Sequence, residues 1–435
     1  NDEAIVSFFD RQDSSLSNNV LNGGKTLLNQ SSYNTIVSYE GKEISLIPNP
    51  VTNATLNDSS FDLRNYVVNG YNLSGTVKDQ GNNGACWAFG ATGALESAFL
   101  KATGILLDIS ENNIQGAATR YSEFGTGFIN EGGFAISGMS LFLSWLSVFS
   151  TEFDTYDELG KISIASFVPE DSYHIQDAII IPPRKSALDN DKLKDALVKY
   201  GGLTVHVYCD SANNNYYNPS TSSQYYNGDG YGNHFVTLVG WDDSYSKDNF
   251  KITPPGDGAW ICKNSWGTNW GDGGYFYLSY YDTSLGDKES VCYIINNESY
   301  DRIYQHDVGG EGKWLPEGMY YANIFTADED EVIGAVGTFF NQSGRKYEFT
   351  ISVNDVDVYT QKGISKLSGY ETVKLDKLVQ IKKGDKFKVT FKNMPYVANN
   401  LRIHPQSGLS FVSDKSKEWE DLSKVLFVGI LKAYT

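Results

Sequence analysis

The chain is short of cysteine, methionine and long apolar runs. Its 435 residues include four cysteines and three methionines, and four cysteines are too few for a fold held together by disulfides. No stretch reaches the roughly 18 consecutive apolar residues that a membrane-spanning helix needs, so a membrane span is excluded. A secretory signal peptide is also missing, and since the chain begins at Asn1 we expect that a targeting segment has been removed.

Basic residues are in deficit. The 35 lysines and arginines face 53 aspartates and glutamates, which gives a formal net charge of −18. This balance excludes nucleic-acid binding through a basic surface and suits a soluble protein outside the cell. Tyrosine and glycine are abundant, with 29 and 42 residues. The composition predicts a β-rich protein with a polar surface, and contact with carbohydrate is compatible with it.

The most informative segment runs from residue 80 to residue 89 and reads Gln-Gly-Asn-Asn-Gly-Ala-Cys-Trp-Ala-Phe. It places Cys86 at the start of a helix-like run, where backbone N–H groups and the helix dipole stabilise a thiolate. Gln80 lies six residues upstream and can donate its amide N–H to an oxyanion that forms beside the sulfur. Without this context, a free cysteine is more often a small buried hydrophobic residue.

Two later segments complete the pattern: Asn-His-Phe-Val at residues 233–236 and Lys-Asn-Ser-Trp-Gly at residues 263–267. His234 follows Cys86 by 148 residues, and Asn264 follows His234 by 30. We interpret Ser244–Gly258 as a hairpin insertion that lengthens the second interval. Alone, His234 would be read as a structural histidine in an apolar strand, and Asn264 as a turn residue. In this order, the segments resemble the papain-like cysteine peptidases.

The resemblance implies a role for each matching residue. Cys86 would be the nucleophile, and His234 would hold it as a thiolate–imidazolium pair and then protonate the leaving amine. Asn264 would orient the imidazole, with Trp266 shielding that hydrogen bond from water. Gln80 and the Cys86 backbone N–H would form the oxyanion hole. The implied reaction is peptide-bond hydrolysis through a thioester, without a catalytic metal or cofactor.

The same resemblance predicts where substrate binds. Residues 131–134 read Glu-Gly-Gly-Phe and match the family's glycine pair, where the substrate backbone approaches because no Cβ obstructs it; the alternative is an ordinary turn. By position, an apolar substrate side chain is expected upstream of the scissile bond. The predicted substrate-binding residues are Gly132, Gly133, Ala135, Asn233, Phe235 and Trp266.

The cysteines depart from the family pattern. The family commonly pairs a cysteine at the position of Asn83 with one just before its glycine pair, and the region Ile109–Gly133 has no cysteine. Of Cys209, Cys262 and Cys292, at most two can pair, and Cys262 is predicted to be a buried free thiol. A secreted chain without these bridges fits a bacterium or archaeon, so we expect a secreted or cell-surface protein of a prokaryote.

The chain divides into three predicted parts. Residues 1–60 are either a short propeptide that extends through the cleft or an N-terminal strand that packs on the catalytic domain. Residues 61–288 form the papain-like domain, a helical lobe with a β-barrel lobe, and residues 289–435 form a β-sandwich. Within the papain-like domain the predicted elements are a central helix over Cys86–Ala102 stopped by Gly104, a helix starting after Ile109, a helix over Asp191–Lys199, a strand over Leu203–Tyr208 and a surface loop over Ser211–Gly232.

Past residue 287 the pattern alternates with period two, which is typical of strands. An antiparallel β-sandwich is therefore predicted, and the overall class is α+β. The arrangement resembles prokaryotic papain-like peptidases of the clostridial cell-wall type, which carry a C-terminal lectin-like domain. The predicted strands are Gly334–Phe340, Tyr347–Val353, Glu371–Val379, Lys386–Phe391 and Leu426–Leu431.

Residues 328–331 form an acidic run, Asp-Glu-Asp-Glu. Carboxylate oxygens suit Ca²⁺, so the run is either part of a structural calcium site or a solvated loop. The other four histidines are predicted to have no catalytic role: His206 lies in the strand predicted over Leu203–Tyr208, and His174, His306 and His404 have no partner at a recognisable spacing.

The leading hypothesis is a secreted or surface-attached cysteine endopeptidase that cleaves surface or matrix proteins and its own N-terminal segment. Its predicted partners are a protein or peptide substrate and a cell-wall polymer or glycan bound by the C-terminal domain. Two alternatives remain open at this point. One is a carbohydrate-binding adhesin that keeps the peptidase domain as a scaffold, and the other is a transpeptidase that transfers the thioester to an amine.

Overall fold

We analysed the fold in a computed structural model, which describes residues 35–38, 41–47, 52–118, 130, 132–146, 148–158, 172–210, 214–285, 287–307, 312–392, 394–398, 405–414 and 418–435. Within these ranges no helix is both long and apolar enough to cross a membrane. The predicted α+β class is confirmed: a helical part and a mainly antiparallel β part follow one another.

The predicted central helix is the longest one in the part of the chain that the structure describes. It begins at Cys86 and ends at Thr103, and Gly104 follows it in the left-handed conformation at φ 74°. Nearly every side chain of this helix is buried, as expected for a helix that is apolar or small on all sides and packs in the middle of a domain. The α-helices of the described residues are α1 (Cys86–Thr103), α2 (Glu111–Ala118), α3 (Ala135–Leu143) and α4 (Asp191–Tyr200).

Strands make up most of the remaining structure. Those of the first 300 residues are β1 (Thr35–Ser38), β2 (Ser60–Asp62), β3 (Val67–Val68), β4 (Tyr71–Asn72), β5 (Asp177–Ile181), β6 (Leu203–Val207), β7 (Tyr217–Asn218), β8 (Ser223–Gln224), β9 (His234–Asp242), β10 (Ala259–Lys263), β11 (Tyr275–Ser279) and β12 (Ser290–Ile294). The later strands are β13 (Arg302–Gln305), β14 (Gly312–Trp314), β15 (Tyr320–Thr326), β16 (Glu331–Phe340), β17 (Lys346–Val353), β18 (Val356–Ile364), β19 (Gly369–Ile381), β20 (Lys386–Lys392), β21 (Tyr396–Ala398), β22 (Ser410–Ser413), β23 (Glu420–Asp421), β24 (Val428–Gly429) and β25 (Leu431–Tyr434).

One 14-stranded sheet runs through both halves of the chain. Its order is β1-β13-β25-β16-β19-β5-β12-β6-β9-β10-β11-β8-β7, with β2 paired to β9. The two halves meet where β19 pairs with β5, through Gly369 opposite Ile179 and Tyr370 opposite Ala178. A second, six-stranded sheet has the order β18-β17-β20-β15-β22-β23 and packs on the C-terminal strands of the first, which completes the predicted sandwich.

Two predicted elements need correction. Leu426–Leu431 is not one strand: a 3-10 helix ends at Val425 and Leu426 is left-handed at φ 60°, so the chain turns and supplies β24 and β25 to different sheets. Ser211–Gly232 is not only a surface loop, because it contributes β7 and β8 and buries the tyrosines that follow them, Tyr225 and Tyr226. Burial of aromatic side chains stabilises the folded chain in an asparagine-rich segment as it does elsewhere.

The hydrophobic core is shared between the halves. One cluster joins Ala91 and Leu95 of α1 and Met139 of α3 to Phe339 of β16 and Tyr434 of β25. The β lobe around β9, β10 and β11 and the interior of the C-terminal sandwich each have a further cluster. The helical lobe therefore packs directly against the C-terminal half.

The described part of the N-terminal segment lies away from Cys86. Strand β1 pairs antiparallel with β13, Thr35 opposite Gln305 and Ser38 opposite Arg302. The backbone N–H of Ile47 donates to the carbonyl of Ala102 at the far end of α1 (2.9 Å). Residues 35–38 and 41–47 thus do not extend through the cleft. Strand β1 pairs with the C-terminal half, whereas residues 41–60 contact the catalytic domain where they are described: Ile47 bonds to Ala102, and Ser60 of β2 pairs with Asp242 of β9. Residues 1–34 lie outside the described ranges.

Candidate active site

Cys86 occupies the first position of α1. Ala85 precedes the helix without a side-chain cap, so the first turn presents backbone N–H groups and the positive end of the helix dipole at the sulfur. The Cys86 side chain is half-buried. Trp87 and Phe89, which follow it, are buried and fix the helix end in the protein interior. The local sequence therefore gives a partly accessible thiol at a helix N-terminus.

His234 begins β9 and faces Cys86. Burial raises the pKa of the Cys86 thiol, but the hydrogen bond to His234, its charge and the N–H groups of Phe235 and Trp87 outweigh burial and lower that pKa below its usual value. Burial likewise lowers the pKa of His234, and the bonds to Cys86 and Asn264 outweigh it and raise the pKa. Opposite shifts in two touching groups favour the thiolate–imidazolium form of the pair.

Asn264 orients the imidazole. Its Oδ1 lies 2.9 Å from Nε2 of His234 and also accepts the backbone N–H of Ser265 at 2.8 Å. Because this oxygen is an acceptor, Nε2 carries the proton, which leaves Nδ1 for the sulfur. The ring of Trp266 lies 5.0 Å from the His234 ring and covers it on one side.

Gln80 is buried and its amide is fixed at both ends. Its Oε1 accepts the hydroxyl of Ser265 at 2.6 Å, and its Nε2 donates to the carbonyl of Asn83 at 2.8 Å. The amide nitrogen has two hydrogens, so one remains beyond the bond to Asn83. Tyr156 holds the Gln80 backbone by donating its hydroxyl to the carbonyl (2.7 Å). A donor held in this way costs little reorganisation when charge develops nearby.

Asn83, where the family has a cysteine, ties the loop before Cys86 by hydrogen bonds. Its Nδ2 donates to the carbonyl of Glu158 at 2.8 Å, and the carboxylate of Glu158 accepts the backbone N–H of Asn82 at 3.0 Å. The residue is buried. Two hydrogen bonds between residues 82–83 and Glu158 therefore hold this loop without a covalent bridge.

The two predicted glycines are needed for different reasons. Gly132 has φ 78°, a conformation that residues with a Cβ rarely adopt, and the space beside it is open. A Cβ on Gly133 would come within 2.6 Å of the Trp87 ring. Ala135 is buried at the start of α3. The structure thus brings the glycine pair to the Cys86 end of α1, beside Trp87.

Asn233 and Phe235 flank His234 and have distinct contacts. The Asn233 side chain accepts the backbone N–H of Cys209 at 2.7 Å and donates to its carbonyl at 3.0 Å. Phe235 is buried, and its ring lies 4.5 Å from that of His206. Both residues therefore hold β9 in place next to the cysteine, in addition to any contact with a substrate.

Sequence reasoning missed a buried charge cluster behind this site. The Lys78 ammonium lies 2.7 Å from Glu96, 2.8 Å from Glu111 and 2.7 Å from Asp108. Lys263, next to Asn264 in the chain, donates to the Ser74 carbonyl at 2.5 Å. The signal was available in part, because Glu96 is a charged residue inside an otherwise apolar helix pattern.

The remaining cysteines and histidines are not part of the Cys86–His234 pair. All four cysteines are free thiols; Cys262 is buried, as predicted, and so is Cys292. Burial lowers the pKa of His174 to about 3 and that of His306 to about 4. His206 lies 3.2 Å from Asp287, and His404 is outside the described ranges. Among the described residues no group of three or more histidine, cysteine, aspartate or glutamate side chains is arranged to hold a metal ion.

Residues 58–301 match the sequence model described as "Papain family cysteine protease". The chain belongs to the papain family of cysteine proteases. Residues 303–435 match a second model, "Lectin like domain". The resemblance inferred from the three motif segments is therefore confirmed.

Curated relatives match the papain-family part. Cathepsin L1 of Drosophila melanogaster is 26% identical over 236 residues, 52% of this chain and 55% of the fly protein. The oryzain gamma chain of Oryza sativa subsp. japonica is 31% identical over 231 residues, 52% of this chain and 55% of that protein. Cathepsin K of Mus musculus is 29% identical over 239 residues, 52% of this chain and 61% of that protein. The chain thus spans less than two thirds of the length of each.

Two solved structures share the whole architecture. The clostridial cysteine protease Cwp84 after propeptide cleavage superposes with a TM-score of 0.72 at 22% identity, covering 83% of this chain and 96% of that one. The cysteine protease and lectin-like domains of Cwp84, a surface layer associated protein of Clostridium difficile, give a TM-score of 0.70 at 20% identity, covering 91% and 92%. The predicted fold, a papain-like domain followed by a lectin-like β domain, is confirmed.

Proposed function

We propose that this protein is a thiol endopeptidase in which Cys86 attacks the peptide carbonyl and His234 protonates the leaving amine. The observation that supports this most directly is the Cys86–His234 contact, in which each group shifts the pKa of the other toward the charged pair. Asn264 orients His234, and Gln80 with the Cys86 N–H stabilises the oxyanion. Water then hydrolyses the thioester and releases the acyl group.

In this proposal residues 61–288 form the peptidase domain and residues 289–435 the lectin-like domain. The protein acts outside a prokaryotic cell, secreted or attached to its surface, on surface or matrix proteins. Substrate backbone pairs at Gly132 and Gly133, where the open space beside Gly132 allows a chain to approach.

Alkylation of the cysteines tests the proposal. We expect iodoacetamide at mildly acidic pH to label Cys86 first, because its pKa is lowered, whereas burial raises the pKa of Cys209 to about 12. His234→Ala should abolish the fast labelling. His206→Ala, a change at the half-buried histidine next to Phe235, is the matched control and should leave it intact. Equal labelling of Cys86 and Cys209 in the parent protein would reject the peptidase proposal in favour of a binding protein with a peptidase scaffold.

Hydrolysis and acyl transfer to an amine share the same thioester. The two are separated by incubating the protein with a peptide substrate and an excess of an amine and identifying the products by mass spectrometry. Hydrolysed product alone supports the endopeptidase, and ligated product as the main species supports the transpeptidase.

Self-processing is part of the proposal. We propose that a segment within residues 1–60 is released by the protein's own Cys86. Strand β1 and residues 41–47 lie away from Cys86, so the cut falls in a neighbouring molecule or outside those stretches. N-terminal sequencing after prolonged incubation of the parent protein and of Cys86→Ala distinguishes these cases. An identical N-terminus in both would contradict self-processing.

A lysine-rich sheet face supports attachment to an anionic cell-wall polymer through the C-terminal half. Side chains alternate along a strand, and Phe349, Phe387 and Phe391 lie in the core, so their neighbours on the six-stranded sheet face outward. On the outer face of β17, β18 and β20 five lysines stand against Glu348, which is paired with Lys362, and Asp357, on a chain whose net charge is −18. These lysines are Lys346, Lys362, Lys386, Lys388 and Lys392.

The test uses the whole chain with Cys86→Ala, because the core is shared between the halves. We expect it to be retained on an immobilised acidic polysaccharide and eluted by salt. The double change Lys388→Glu and Lys392→Glu should abolish retention, whereas Lys199→Glu on α4 should not. If the double variant and Lys199→Glu were retained equally, binding through this face would be contradicted.

A calcium ion in the C-terminal half is not part of the proposal. The carboxylates of the acidic run already have protein partners: Arg302 lies 3.3 Å from Asp328, 3.6 Å from Glu329 and 3.3 Å from Glu331. Asp330 accepts the backbone N–H of Lys383 at 2.8 Å. Carboxylates that surround a guanidinium are poor ligands for a second cation.

A further inference from the structure

An aromatic pocket adjoins the catalytic pair and has no part in the chemistry described so far. It has a cavity volume of about 280 Å³, which is room for one large side chain rather than for a whole ligand of drug size. The residues that line the pocket include Cys209, Asp210, Tyr216, Tyr217, Trp266 and Trp270.

The pocket lies on the leaving-group side of the scissile bond. Trp266 forms part of its wall, and the Trp266 ring is 5.0 Å from that of His234. Cys209 is bonded through its backbone N–H and carbonyl to Asn233, the residue before His234. The glycine pair, where the acyl part binds, is instead beside Trp87. In the proposed mechanism His234 gives its proton to the leaving amine, so the residue that carries this amine sits next to the pocket.

The wall is lined by aromatic rings that contact one another. The rings of Trp266 and Trp270 meet edge to face at 4.9 Å, and those of Tyr217 and Trp270 stack at 5.1 Å with a 20° angle. Aromatic faces attract ammonium and guanidinium groups. They also bury the methylene stem of a lysine or arginine, whose charged head then reaches a polar rim.

The polar rim carries a carboxylate. Asp210 is half-buried and accepts a hydrogen bond from Asn215 at 2.8 Å. Lys251 donates to the backbone carbonyl of Asn214 at 2.6 Å, so the local charge at this rim is set by Asp210 together with Lys251. A carboxylate beside aromatic faces favours a cationic side chain and disfavours an anionic one.

We propose that this pocket selects a lysine or arginine directly after the scissile bond, with Asp210 as the specificity-determining residue. The inference rests on the proposed peptidase function. It narrows the substrate class to proteins that are cut on the amino side of a basic residue. Asp210 does not touch the reacting atoms, and its role is to bind the side chain of the leaving part.

The test compares peptides that differ only at the residue after the scissile bond: lysine, arginine, norleucine and glutamate. We expect kcat/KM for lysine or arginine to exceed that for norleucine about tenfold, with glutamate below norleucine. Norleucine is the matched control because it keeps the stem without the charge. The advantage of lysine should shrink as ionic strength rises, a readout that needs no variant.

Two variants then identify the residue. Asp210→Asn should bring the lysine-to-norleucine ratio close to one while the rate of Cys86 alkylation stays unchanged. Asp210→Lys should make glutamate the better substrate. Asp195→Asn, the same change on the exposed face of α4, should preserve the ratio. Turnover of all peptides without preference for a basic residue, or a ratio unchanged in Asp210→Asn, overturns the inference and leaves the peptidase intact. Absence of both turnover and Cys86 labelling overturns the peptidase proposal itself.

Discussion

At the residue scale, we expect the hydrogen bond between His234 and Asn264 to set the upper pH limit of the proposed activity. The thiolate–imidazolium pair exists between the lowered pKa of Cys86 and the raised pKa of His234. Asn264 is one of the causes that raise the His234 pKa. In Asn264→Ala the imidazolium therefore loses its proton at lower pH, and the alkaline limb of the kcat/KM profile should move downward.

In Asn264→Ala kcat/KM should also fall, because the change removes a hydrogen bond to a charged group. Such a bond contributes about 1.5–3 kcal/mol. The acidic and alkaline limbs report the coupled Cys86–His234 pair rather than either residue alone. The whole kcat/KM–pH profile of the variant is therefore compared with that of the parent protein. Asn233→Ala is the control, because Asn233 bonds to Cys209 rather than to the imidazole. An alkaline limb that stays in place in Asn264→Ala would contradict the assigned role.

Gln80 gives a second prediction at this scale. Gln80→Ala removes an oxyanion donor and should lower kcat by about 10²–10³-fold. Alkylation of Cys86 forms no oxyanion, so its rate should change little. Ser265→Ala, which removes only the hydroxyl that fixes Oε1 of Gln80, should give a smaller loss of kcat. A Gln80→Ala variant that slows alkylation as much as turnover would show instead that Gln80 supports the pair.

At the scale of elements, Lys78 joins the segment before α1 to α1 and α2. Its ammonium contacts Glu96 of α1 and Glu111 of α2, and both carboxylates are buried. Lys78→Met removes the cation that contacts both carboxylates and leaves only the charge of Lys263 acting on Glu96, so it should lower the free energy of unfolding by about 3–5 kcal/mol near neutral pH. Urea unfolding measures the change.

The pH dependence of that loss has a definite sign. Burial raises the pKa of Glu96 although Lys78 opposes it, and Glu111 adds to the rise. Without Lys78 the carboxylate takes up a proton as the pH falls, so the penalty in Lys78→Met should shrink on acidification. Lys199→Met, which breaks an exposed pair with Asp195, should change stability by at most about 0.5 kcal/mol at any pH. If Lys78→Met lowered the free energy of unfolding no more than Lys199→Met does, this role of Lys78 would be contradicted.

Elements carried by short contiguous patterns were predictable, and those fixed by distant contacts were not. The motifs around Cys86, His234 and Asn264 are local, and so are the helix stop at Gly104 and most strands of the C-terminal half. The Lys78 cluster joins residues from three segments, and no spacing rule links them. The strand predicted over Leu426–Leu431 failed because the apolar pattern continues through a residue that adopts left-handed φ.

At the scale of the whole molecule, the two halves are one folded body rather than two domains on a linker. The β5–β19 pairing continues one sheet across the junction, and α1, α3, β16 and β25 share a core. Sequence reasoning placed the change of pattern near residue 288 but gave no sign of this contact, because pairing between distant strands leaves no local signature. The C-terminal half therefore also bears on the stability of the helical lobe that carries Cys86.

Lys432 offers a test of this coupling. It is 1% exposed, and its ammonium lies 2.9 Å from the Ser144 hydroxyl at the end of α3, 2.7 Å from Gln305 and 3.3 Å from Asp307. Lys432→Met leaves the buried Asp307 carboxylate unpaired and should lower the free energy of unfolding by about 3–5 kcal/mol at neutral pH. Burial raises the pKa of Asp307 although Lys432 opposes it, so the loss should diminish as acid protonates that carboxyl.

The double variant Lys432→Met, Asp307→Asn removes the stranded charge and should recover most of the loss, since replacing both partners of a buried pair is often near neutral. Lys377→Met on the exposed face of β19 is the control and should stay within about 0.5 kcal/mol of the parent. Because the core is shared, urea unfolding followed by labelling of the buried Cys262 in β10 and by amide hydrogen exchange in β17 and β20 should show one common transition in the parent protein. Separate midpoints for the two probes, or a double variant no more stable than Lys432→Met, would mean that the junction does not couple the halves.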